Sequence, residues 1–90
     1  MTSKREFFVN FSTIADKNTL QDKLAACLCL PDYYGRNLDA LHDCLTEMDA
    51  CVTLSGLRWL QALGNYGDSV LRVFRDAAEE NSRLTLIFND

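Results

Sequence analysis

Asp39 and Asp43 stand four residues apart, with His42 between them and Tyr33-Tyr34-Gly35 shortly upstream. On a helix, residues at that spacing are neighbours, so both carboxylates share one face. Paired carboxylates can exchange protons or dock a cation. Acid–base work needs a cleft that pushes their pKa values apart, and two aspartates on an exposed helical face lack one. His42, the only histidine, cannot activate Cys44 as a nucleophile, because residues two apart point to different faces. With Asp39 and Asp43 it could recruit a divalent metal, yet the sequence offers no evident further ligand. No phosphate-loop, dinucleotide-binding or zinc-ribbon spacing is present. The pattern favours binding over catalysis, with no cofactor or metal.

The helix that carries these residues is legible from its periodicity. At roughly 100° per residue, Leu38, Leu41, Cys44, Leu45 and Met48 fall in one arc, with Ala40 at its edge. Asp39, His42, Asp43, Thr46 and Glu47 fall in the opposite arc. Like charges at this spacing mildly destabilise a helix, and Asp39 in the first turn, near the positive end of the dipole, offsets part of that. By itself the second arc reads as a solvated acidic face. The tyrosines leading into it support a docking face instead, since tyrosine is enriched at interface hot spots and carboxylates match arginine forks.

The remaining elements follow from the same patterning. Residues 5–11 read as an aromatic strand. Asn18 or Thr19 can cap a helix with the stripe Leu20, Leu24, Cys27 and Leu28, which Pro31 ends. Gly35 is free to take positive φ in the turn before Asn37, which caps the second helix to about Met48. A strand over 51–54, a short helix over 57–63, a helix from 66 or 68 to 80 and a buried strand over 84–88 complete the chain. In the long helix Val70, Val73, Phe74 and Ala77 face inward. Arg72, Arg75, Asp76, Glu79 and Glu80 face away, with Arg72 placed to pair with Asp76. Three strands separated by helices predict an α/β fold, a small three-stranded parallel sheet with packed helices.

The 90 residues, with 48% hydrophobic and 24% charged side chains, suit a single domain over 1–90. A net charge of −4, with scattered basic residues, argues against direct nucleic-acid binding and leaves a basic protein as a fitting partner. No apolar run reaches the roughly 20 residues of a membrane helix. The charged start leads into too short an apolar run for a secretory signal, which points to the cytoplasm. The four cysteines read as free, mostly buried thiols, with Cys29 exposed.

The stretch Leu30-Pro31-Asp32-Tyr33-Tyr34-Gly35-Arg36-Asn37-Leu38-Asp39-Ala40-Leu41-His42-Asp43-Cys44-Leu45-Thr46 resembles the signature of the barstar-like family, intracellular inhibitors of barnase-type ribonucleases. Residues 68–77 resemble that family's last long helix, and the final strand fits as well. The resemblance implies a non-enzymatic protein that plugs the active site of a basic, extracellular-type ribonuclease, as a monomer binding one-to-one. Carried over by position, Tyr33, Gly35, Asn37 and Leu38 line the contact loop. Asp39 pairs with an enzyme arginine, and Asp43 takes the place of substrate phosphate. Asp76 sits where the family has a glutamate. Thr46 and the departures His42 and Glu47 lie in the expected interface; His42 and Met48 replace tryptophans, and Glu47 replaces a glycine. Two other readings stay open. One is an immunity or regulatory module for a basic partner that is not a ribonuclease; the other is a small metal protein or enzyme built around His42 and the aspartates.

Overall fold

Side-chain alternation in three strands decides which side of the sheet is covered. In the computed structural model, which describes residues 5–89, β1 (Arg5–Asn10) and β3 (Leu84–Asn89) flank β2 (Ala50–Ser55) in an all-parallel sheet. Arg5 is in register with Ala50, and Ala50 with Leu84. Phe7, Val9, Ala50, Val52, Leu54 and Leu84 therefore share one face, and all are buried.

The connections are α1 (Lys17–Cys27) and α2 (Leu38–Thr46) between β1 and β2, then a 3-10 helix (Leu57–Leu63) and α3 (Asn65–Glu80) before β3. Right-handed crossovers in the order β1-β2-β3 send every helix to the same face. Leu20 and Leu24 of α1, Leu41 and Leu45 of α2, and Val70, Phe74 and Ala77 of α3 complete the core there. A Cβ at Gly67 would overlap the Leu60 carbonyl, so glycine lets α3 lie directly on the 3-10 helix. This is the α/β arrangement that the patterning predicts. No helix among the described residues is long and apolar enough to cross a membrane.

Local details depart from expectation, each for a physical reason. Helix α1 starts two residues early because Asp16, not Asn18 or Thr19, is its cap: Oδ1 accepts the Thr19 N–H at 2.7 Å. It also ends before Pro31 can act. Cys29 takes φ 53°, and the Leu30 N–H reaches back to the Ala25 carbonyl at 3.0 Å, closing the helix as a Schellman turn. Helix α2 stops at Thr46, short of Met48, while the short helix expected over 57–63 is present over those residues as a 3-10 helix. The last strand is buried only at its start. Leu84 is in the core, whereas Ile87 is 45% and Phe88 43% exposed, Ile87 because it lies on the open sheet face and Phe88 because it lies near the end of an edge strand. The cysteines are free as expected, but Cys27, Cys44 and Cys51 are only half-buried.

Candidate functional site

The loop before α2 is held on α1 at two points. The Tyr34 ring is buried, and its hydroxyl donates to Gln21 Oε1 at 2.6 Å, while Gln21 Nε2 donates to the Tyr66 hydroxyl at 2.7 Å. Burial, more than the neighbouring Tyr66 and Cys44, pushes the Tyr34 phenol up to about 12. On the outside, Arg36 Nη1 lies 2.6 Å from Asp22 Oδ1, and Nη2 donates to the Asn18 carbonyl at 3.3 Å. With Tyr34 turned inward, Tyr33 projects into solvent at 88% exposure.

The left-handed residue of this turn is Arg36, at φ 54°, and not Gly35. Glycine at 35 answers a spatial need instead. A Cβ there would come within 3.1 Å of Asn37 Nδ2 and 3.4 Å of Ala40 Cβ, crowding the cap of α2. That cap is Asn37, as expected: its side-chain oxygen accepts the Ala40 N–H at 2.8 Å, and Nδ2 donates to the Gly35 carbonyl at 3.2 Å.

Capping in this way sets the rotation of α2. Leu41 and Leu45 enter the core, and Leu38, Ala40, Cys44 and Met48 pack at its margin. Asp39, Asp43 and Glu47 are exposed. The Thr46 hydroxyl donates back to the Asp43 carbonyl at 2.9 Å, which fixes that side chain on the last turn. Tyr33, Gly35, Asp43 and Glu47 thus border one notch of about 180 Å³, floored by Ala40, Cys44 and Tyr34. Burial, then the Glu47 and Asp43 carboxylates, pushes the Cys44 thiol up, so it stays protonated and is a poor nucleophile.

His42 is not a free member of this face. Its Nε2 lies 2.6 Å from Glu80 Oε2 and its Nδ1 4.0 Å from Asp43 Oδ1. A carboxylate only accepts, so Nε2 carries the proton toward Glu80. Asp76 lies one turn before Glu80 on α3, exposed. Arg72 lines the same shallow groove as Asp76, but the expected ion pair is not formed. Among the described residues the pairs are Arg36–Asp22 and the two contacts of His42. Arg75 instead stacks over Phe88, 5.6 Å from the ring centre.

Asp39, His42, Asp43 and Thr46 are therefore together on α2 and Glu47 at its C-cap, with the contact loop at the start of the helix and Asp76 across on α3. Two residues that shape the face, Glu80 and Gln21, were not selected from the sequence. Glu80 carried a signal, being four residues from Asp76 on the outer arc; Gln21 carried none. No group of three His, Cys, Asp or Glu side chains able to hold a metal ion exists among the described residues.

Comparison with known proteins gives a family match and a curated relative. The family model described as Barstar (barnase inhibitor) matches residues 4–89. A protein of Bacillus subtilis (strain 168) named "Putative ribonuclease inhibitor YrdF" is 39% identical over 80 residues, covering 84% of this chain and 88% of the relative.

Proposed function

This chain belongs to the barstar family, and we propose that it inhibits a ribonuclease by covering the enzyme's active site with the acidic face of α2 and the loop before it. The family and the name of the Bacillus relative both support a ribonuclease-inhibitor role. One observation carries the finer reading. Asp39 and Asp43 project from a capped helix into solvent, beside a tyrosine loop already fastened to α1.

Carboxylates so placed stand in for substrate phosphates and meet arginines of the enzyme through forked hydrogen bonds. Because helix and loop are ordered before contact, little conformational freedom is lost on binding. In this reading Asp43 enters the phosphate site and Asp39 pairs beside it. Tyr33, Gly35, Asn37 and Leu38 supply the loop contact, His42, Thr46 and Glu47 the rest of the helical face, and Asp76 an outer ion pair. The chain acts by binding one-to-one, without catalysis, on a basic enzyme of the extracellular type. Its place is the cytoplasm of the producing cell.

Inhibition of RNA cleavage by a panel of barnase-like ribonucleases tests this. Wild type is expected to inhibit at least one member, and Asp43→Ala to bind about 2 kcal/mol or more weaker, roughly thirtyfold. No inhibition across the panel would reject the ribonuclease target and favour a different basic partner.

A further inference from the structure

We propose that Gln21, on α1 and away from the binding face, is a positioning residue that holds the contact loop in its binding-ready shape. The proposal rests on the inhibitor reading for its functional consequence, but its structural content stands alone.

Gln21 is a polar side chain in the core, 3% exposed, and its amide joins phenols from two distant parts of the chain. Its oxygen accepts from Tyr34, 13 residues on, and its nitrogen donates to Tyr66, 45 residues on. The amide has one accepting and one donating end, so the chain of hydrogen bonds runs in one direction from the loop to the first turns of α3. An apolar residue at this position would leave the buried Tyr34 hydroxyl only the Asn37 carbonyl, at a long 3.4 Å, and would take its protein donor from the half-buried Tyr66 hydroxyl. A buried hydroxyl so weakly partnered favours movement of its ring toward solvent.

Release of Tyr34 would free the residues on either side. Tyr33 points outward because Tyr34 points in, and the Tyr34 N–H closes the turn onto the Pro31 carbonyl at 2.9 Å. Asn18, Gln21 and Asp22 lie at i, i+3 and i+4 on α1, so a single face of that helix holds the loop at Tyr34 and Arg36. The outer tie, Arg36–Asp22, has side chains 45% and 70% exposed, and an exposed ion pair holds little. The buried tie through Gln21 is the one that orders the loop.

If the loop is binding-ready only part of the time, association slows by that fraction while the finished complex is unchanged. Gln21→Met, which keeps the volume and removes the amide, is compared with Val52→Ala, a core truncation in the central strand remote from the loop. The measurements are amide exchange of the free chain and association and dissociation rates with barnase. In Gln21→Met, exchange at Tyr34 is expected to rise about tenfold over Val52→Ala, and association to slow about tenfold with dissociation little changed. Tyr34→Phe, which removes the Tyr34–Gln21 bond and leaves Gln21 on Tyr66, should shift loop exchange and association in the same direction. The double variant should add little to Gln21→Met at the loop, because both single variants already lack that bond. Should Gln21→Met not fold, Tyr34→Phe supplies the same two readings. Loop exchange and association no different from Val52→Ala would overturn the proposal. If wild type does not bind barnase, that target fails for the inhibitor reading, and the exchange comparison still decides the role of Gln21.

Discussion

His42 lies between two carboxylates from different helices, Glu80 at 2.6 Å and Asp43 at 4.0 Å. Its Nε2 donates to Glu80, so the imidazole ties α2 to the end of α3 and stands inside a surface otherwise made of carboxylates. In the inhibitor reading a fixed positive charge here would oppose a basic partner. His42→Lys is therefore expected to weaken ribonuclease binding about tenfold relative to His42→Gln, which keeps an N–H donor without the charge. Equal affinities for the two variants would show that charge at this position has no part in binding.

Helix α2 is a short element, nine residues from Leu38 to Thr46, and its ends carry much of its order. At the start, Asn37 satisfies an orphan N–H. Asn37→Ala is expected to cost about 1 kcal/mol, lowering Tm by about 4–8 °C in thermal unfolding. At the other end, Asn81 Nδ2 donates to the Leu45 and Met48 carbonyls at 3.1 and 2.7 Å, tying α2 to the end of α3. The loop between α1 and α2 depends on a neutral Tyr34. Its phenol is pushed up to about 12 from the ordinary 10.0, so the unfolded chain gives up this proton first. Stability from this group is therefore complete below pH 10 and is lost as pH rises toward 12. Denaturant midpoints measured across that range should fall in wild type and fall less in Tyr34→Phe.

The whole molecule carries a net charge of −4, and the proposed partner is basic, so long-range attraction should guide their encounter. Raising ionic strength from about 0.05 M to about 0.5 M is expected to lower the association rate severalfold, with a much smaller change in dissociation. A salt-independent association rate would show that the contact pairs alone, without steering, account for binding. The overall architecture also makes the two faces of the sheet unlike. The helices cover one side of the sheet and carry the acidic surface outward, while Phe8, Thr53 and Ile87 align in register on the uncovered side.

What the sequence determined is whatever a short segment decides by itself. The two arcs of α2, the Asn37 cap, the three strands and the long α3 all follow from spacing within a few residues, and all are present. Local competition was harder to judge. Asp16 outbids Asn18 as cap because its carboxylate reaches the Thr19 N–H, and Cys29 closes α1 in a conformation that composition does not announce. Arg36 rather than Gly35 takes the left-handed position, because the close approach of Asn37 and Ala40 already claims the glycine. Only the tertiary structure could decide the contacts between distant residues. His42 meets Glu80 across 38 positions, and Gln21 meets Tyr66 across 45. Neither pair has a periodic signature, since each exists because packing α1, α2 and α3 on one face of the sheet brings their flanks within hydrogen-bond reach.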